Sequence, residues 1–126
     1  MLIIHSPNGG QVHKSIGVLP GEVVLAVGPE GQAQLDNLFE KKNIEWLLYA
    51  GYSSNMCVLN RPTGIVTMAY NGYRNRIIFV RDASTAAKVP SSIEVDSIHE
   101  VVISLVELNW GATTTVDDIV AALGEL

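Results

Sequence analysis

Cysteine occurs once in this chain, at position 57. No disulfide can form within it, and that cysteine usage fits a reducing, cytoplasmic compartment. Basic residues are also scarce: 8 Lys and Arg stand against 13 Asp and Glu, for a net charge of −5. Lys41-Lys42 and Arg74/Arg76 are the only basic clusters, so no nucleic-acid partner is expected. No apolar run approaches the roughly 18 residues of a membrane span. Met1-Leu2-Ile3-Ile4 has neither a basic flank nor a cleavage site, so no signal peptide or membrane contact is expected. Repeats and low-complexity tracts are absent. What is present is 126 residues, 48% hydrophobic and 17% charged. That is enough for a single globular domain, 1–126, with its own core.

The pattern along the chain alternates strands and helices. Leu2–His5 reads as a short apolar strand, stopped by the loop signal Ser6-Pro7-Asn8-Gly9-Gly10. Gln11–Gly21 reads as an irregular crossing, Glu22–Val27 as a second strand, and Gly31–Asn43 as a helix with Leu35, Leu38 and Phe39 on one face. Ile44–Ala50 is apolar on both faces, as in a central parallel strand. A short helix near 55–60 should break at Pro62, which lacks an N–H and disfavours a helical Arg61. It should restart there and run to Asn71, with Ile65, Met68 and Ala69 inward. Arg76–Arg81 is the fourth strand, followed by a loop over Ala83–Ser92. Val95–Trp110 is a long helix with Val95, Ile98, Val102, Leu105 and Val106 as its stripe. Ala112–Thr115 reads as an edge strand, and Val116–Leu123 as a last helix with Asp117 and Asp118 in its first turn. Short connections between alternating elements predict a three-layer α/β/α domain of Rossmann type with a mostly parallel sheet. Ligands in such sheets lie beyond the carboxyl ends of the strands.

One stretch points to chemistry. In Leu47-Leu48-Tyr49-Ala50-Gly51-Tyr52-Ser53-Ser54-Asn55-Met56-Cys57-Val58 an apolar strand meets a glycine, then small polar residues, then the lone cysteine where a helix should begin. A strand–turn–helix unit delivers that side chain to the carboxyl edge of the sheet, where first-turn N–H groups favour a thiolate. The competing reading is a small buried hydrophobe.

Gly51-Tyr52-Ser53-Ser54-Asn55-Met56-Cys57-Val58 resembles the G-x-x-T-x-x-C-V element of the isochorismatase-like cysteine hydrolases, the superfamily that includes nicotinamidases. Ser54 stands at the threonine position. The likeness continues through Leu59-Asn60-Arg61-Pro62-Thr63-Gly64-Ile65, Met68, Gly72-Tyr73 and Phe79-Val80-Arg81-Asp82-Ala83. The resemblance implies an isochorismatase-like fold. It also implies a nucleophilic Cys57 that attacks a carbonyl or amide carbon to give a thioester resolved by water. Oxyanion and substrate contacts would come from Tyr52, Ser53, Ser54 and Asn55, with the amides of Cys57 and of Ser53 or Ser54 as the oxyanion hole. The peptide Tyr52–Ser53 would be cis. A small amide, ureide or related carbonyl compound would be the substrate, with no cofactor.

The family's aspartate lies on a strand that would precede Met1, so the domain is expected to be N-terminally truncated. Its lysine should lie near Val24–Gly28, where there is none. General acid–base help is worth about 10²–10⁴ in rate, so turnover lower by that order is expected. Candidates for the missing role are Asp82, at the end of the neighbouring strand, and His5, also at a strand end. Asp82 otherwise holds loop amides. His99 reads as a packing or capping residue and His13 as solvated. His5 and His13 lack metal-ligand spacing, so no metal is expected. Asn8-Gly9-Gly10 is too short for a phosphate loop. Arg61 and Arg81 read as solvated or helix-end groups, with a substrate carboxylate as the alternative. Loss of a central strand would leave unpaired edges, so a homo-oligomer, most simply a two-fold dimer, is expected with Trp46 or Trp110 at its contact. The alternative function is a non-catalytic remnant that binds a small molecule or a protein partner.

Overall fold

Gly111 and Gly64 leave no room for a Cβ against neighbouring backbone, and both lie in the C-terminal of two compact units, Met1–Ile44 and Glu45–Leu126. In this computed structural model the described residues are 1–7 and 11–125. The expected loop at Asn8-Gly9-Gly10 falls outside them.

In the first unit, β1 (Ile4–His5) and β2 (Val23–Val24) pair in parallel, Ile4 opposite Val23 and His5 opposite Val24. Both are shorter than their apolar runs, because pairing extends only as far as the two segments face each other. Helix α1 (Pro29–Lys42) starts two residues earlier than its apolar spacing implies. Proline at the first helical position has a pre-set φ and needs no N–H partner. Gly31 starts the buried face. A Cβ there would lie 2.1 Å from the Ala26 carbonyl oxygen. Asn43 closes the helix in the left-handed conformation.

The second unit is a three-stranded parallel sheet in the order β3 (Leu47–Tyr52), β4 (Ile77–Thr85), β5 (Ala112–Thr114). Among the described residues β4 is therefore its central strand. This corrects the reading of 44–50 as central: β3 has one strand neighbour, and its Leu48 is 46% exposed. Helix α2 (Cys57–Asn60) is a single turn that ends at an extended Arg61, as the following proline requires. The chain re-enters helix at Ile65, not Pro62, in α3 (Ile65–Met68), and continues as a π-type turn over Ala69–Tyr73. Ile65, Met68 and Ala69 are buried as expected. Gly72, at φ 103°, ends the turn.

Helix α4 (Val95–Asn109) buries Val102 and Val106 under the sheet, whereas Leu105 lies on its exposed flank. Helix α5 (Val116–Gly124) follows directly on β5. Thr115 does not extend that strand. Its hydroxyl oxygen accepts from the Asp118 N–H at 3.2 Å and caps the helix. Phe79 and Ile77 of β4, with Val106, are fully buried at the centre. Among the described residues no helix is long and apolar enough to cross a membrane.

Candidate active site

The site begins with an irregularity between β3 and β4. Tyr49 pairs with Phe79, but Gly51 pairs with Ser84, so four residues of β4 oppose one of β3. Val80 pairs with Thr114 on the β5 side, and Ser84 ties the far end of the bulge. Ser84 donates its hydroxyl to the Val80 carbonyl at 2.8 Å and accepts the Gly51 N–H at 3.1 Å. Gly51 adopts φ 128°, open to glycine and strained for any other residue. The strand thus turns outward after Tyr52, and the Tyr52–Ser53 peptide is cis.

The turn that follows is tied down residue by residue. The Ser53 carbonyl accepts the N–H groups of Met56 and Val58, both at 3.1 Å. The Ser54 N–H donates to the Thr85 carbonyl at 2.8 Å. Asn55 forms a two-point pair with Ala87: its amide donates to the Ala87 carbonyl at 3.1 Å and its oxygen accepts the Ala87 N–H at 2.8 Å. Ser53 and Ser54 are buried, and Cys57, half-exposed, opens α2. Cys57 therefore sits beyond the carboxyl end of β3, after a turn tied by these bonds, and is partly exposed. With α2 only one turn long, few aligned peptides stand behind Cys57, and the helix-end argument for its reactivity is correspondingly weak. Beneath it, the Tyr49 hydroxyl donates to the Thr63 carbonyl at 2.8 Å and braces the segment between α2 and α3. Burial pushes that phenol well above its ordinary value, so it stays protonated and offers no base.

No family model matches the chain, and no curated protein does. Solved structures do. A cysteine hydrolase from Pseudomonas syringae pv. phaseolicola superposes with a TM-score of 0.76 at 16% identity, over 91% of this chain and 55% of that one. A Chromobacterium violaceum protein classed as a hydrolase of the isochorismatase family gives 0.74 at 18% identity, over 99% and 71%. A Burkholderia xenovorans protein classed as an isochorismatase gives 0.71 at 17%, over 98% and 66%. The fold is that of the isochorismatase-like cysteine hydrolases. The chain spans little more than half the length of the Pseudomonas enzyme.

On this isochorismatase-like scaffold the expected residues fall into distinct positions. Tyr52 is exposed at the end of β3. The Ser54 amide is bonded to the Thr85 carbonyl, so it is not open to an oxyanion. Asn55 uses both ends of its amide on Ala87, which fits it to hold the turn. Asp82 is exposed on β4 and accepts the Val116 N–H at 2.9 Å, at the start of α5. His5 belongs to the first unit and bonds Glu22 at 2.8 Å. Glu22 also accepts the Leu19 N–H at 2.9 Å; that bond, then the one from His5, holds its carboxyl below the ordinary value. His13 is exposed beside Ser15. Arg81 reaches the Thr113 hydroxyl at 3.2 Å. Among the described residues no group of three His, Cys, Asp or Glu could hold a metal.

His99 is the residue whose place the sequence reading missed. It lies 2.8 Å from the Ser54 hydroxyl and 2.8 Å from the Arg81 carbonyl, with its ring edge-on to Phe79 at 5.8 Å. A signal existed. Positions 95, 99, 102 and 106 share one helical face, so His99 is a polar residue on a buried stripe and must find polar partners.

Proposed function

We propose that the chain is a cysteine-nucleophile hydrolase of the isochorismatase-like type, acting on a small amide, ureide or related carbonyl compound. The carrying observation is the position of Cys57: half-exposed, first in α2, on a turn whose residues 53, 54 and 55 are each hydrogen-bonded. The sulfur attacks the carbonyl carbon. The carbonyl π electrons move onto oxygen, beside the amides of Cys57 and Ser53. Collapse, with the proton given up by the Cys57 thiol passing through water to the leaving nitrogen, expels the neutral amine and leaves a thioester; water then adds to it, releasing the acid and returning a proton to the sulfur. Native protein treated with iodoacetamide should be alkylated at Cys57, with hydrolysis of a nicotinamide and carbamoyl panel lost in proportion. A native thiol that resists the reagent, or hydrolysis that survives complete labelling, overturns the reading.

The engagement of Asp82 by the Val116 amide favours the second reading, a non-catalytic remnant that binds a small molecule or protein partner. That reading predicts no turnover on the panel.

We also propose assembly into a homo-oligomer, most simply a two-fold dimer. What supports it is the one-sided pairing of β3 among the described residues together with the exposure of Leu48 and Trp46, 46% and 53%. An open strand edge beside apolar surface favours pairing with another chain. Light scattering at low micromolar concentration should give twice the chain mass, and Trp46→Glu should return it to one. A wild-type monomer at that concentration overturns this.

A further inference from the structure

We propose that His99 is a positioning residue for Cys57, acting through Ser54. The inference rests on the nucleophile reading above. A carbonyl oxygen can only accept, so the His99 Nε2 carries the hydrogen that goes to Arg81. In the neutral ring Nδ1 is then an acceptor, and the Ser54 hydroxyl donates to it. The chain of bonds runs in one direction, Ser54 O–H to Nδ1 and Nε2–H to Arg81, and it fixes the tautomer, the ring plane and the serine rotamer together.

The other ties of the turn explain why this one matters. The Ser54 amide is held by Thr85 and the Asn55 side chain by Ala87. Those two anchors lie two residues apart, at and just beyond the end of β4. Two neighbouring points on one segment define a line about which the turn can still rotate. His99 belongs to α4, and its bond to Ser54 is an anchor off that line. It also takes the Arg81 carbonyl inside the bulge, a group that the irregular pairing leaves without a place in the ladder. One ring therefore locks the bulge to the turn, and Cys57 follows three residues later. A reacting atom displaced by about 1 Å can lose on the order of 100-fold in rate, so orientation of this turn, more than its stability, is what the bond secures.

The test uses the full chain and four variants, with iodoacetamide as the probe of Cys57 and hydrogen exchange at the Ser54 amide as a second readout. His99→Phe keeps the ring and the contact with Phe79 but removes both bonds. His99→Gln can donate and accept at similar reach. Ser54→Ala removes the other partner. His99→Phe should slow alkylation about tenfold or more and speed exchange at Ser54. His99→Gln should stay within about threefold of wild type. Ser54→Ala removes only the Ser54–His99 bond and should slow alkylation in the same direction as His99→Phe, and the double variant His99→Phe/Ser54→Ala should lose no more than His99→Phe alone, because that bond is already gone in it. A ring-nitrogen NMR spectrum should show Nε2 protonated and Nδ1 not. The proposal is overturned if His99→Phe alkylates and exchanges as wild type does, if Gln fails as badly as Phe, or if the two losses add. Should wild-type Cys57 react no faster than the unfolded chain, the hydrolase reading falls. Exchange at Ser54 and the tautomer then decide the His99–Ser54 link by themselves.

Discussion

Replacing Gly111 by alanine should cost about 3 kcal/mol or more and lower the melting temperature by roughly 10–20 °C. Gly111 joins α4 to β5, and its N–H reaches back to the Val106 carbonyl at 2.9 Å. A Cβ built there would stand 2.1 Å from the Ile77 carbonyl oxygen and 2.9 Å from its carbon. These are backbone atoms at the start of the central strand, and Ile77 is fully buried. No rotamer change relieves such a contact; β4 and β5 must separate or the end of α4 must shift. Gly64→Ala should act in the same way on a smaller scale, since its Cβ would lie 2.7 Å from the Leu59 carbonyl oxygen and 2.9 Å from that of Val58. It would push α3 away from α2 and disturb Cys57. At Gly124, the end of α5, nothing lies within 4 Å of where an alanine methyl would stand. Gly124→Ala should be neutral or slightly stabilising, as alanine is the better helix former. Thermal melts of the three variants check this. Equal melting temperatures for Gly111→Ala and Gly124→Ala would mean that the α4–β5 connection is not the tight approach described.

Features that local chemistry dictates could be read in advance. The spacing of Val95, Val102 and Val106 places α4 within one residue of its end, and Pro62 marks the break after α2 because a missing N–H and a clashing ring act within a few residues. The start of α2 at Cys57 follows from Gly51 and the small polar residues after it. Features that depend on a distant partner could not be read this way. Ala83-Ser84-Thr85 looks like loop, yet β4 runs through it because Ser84 supplies a side-chain bond to Gly51, 33 positions earlier. Leu48 is as apolar as Leu47, and only the order of the sheet tells that one is exposed and the other buried. The pairs Ser54–His99 and Asn55–Ala87 span 45 and 32 positions, beyond any periodicity. Thr115 is the exception that local reasoning could have caught: threonine three residues before Asp118 is a capping pattern. The cis peptide at Tyr52–Ser53 was legible only through the family resemblance.

Cys57→Ala should lower hydrolysis of any amide the chain turns over by about 10³-fold or more, whereas Asp82→Asn should leave it within about threefold. The contrast follows from how the two side chains are used. Cys57 is the group that bonds to the substrate carbon, so without its sulfur there is no thioester and no mass adduct on the protein. Asp82 spends its Oδ1 on the Val116 N–H at 2.9 Å, at the first residue of α5, where an acceptor satisfies an N–H that the helix itself cannot. Asparagine keeps that oxygen and removes only the charge and the ability to take a proton. Were Asp82 the general base, the same substitution would cost about 10²–10⁴ in rate. Asp82→Ala separates the roles from the other side: it removes the acceptor, and should cost about 1 kcal/mol of stability with hydrolysis little changed. Measured together, rate and melting temperature leave no overlap between the two assignments. A base loses activity in both variants and a cap loses stability in one. With Asp82 occupied as a cap, a chain that still hydrolyses its amide draws its base from another group such as His5, from water or from a second subunit, and hydrolysis per chain should rise with protein concentration only in the last case.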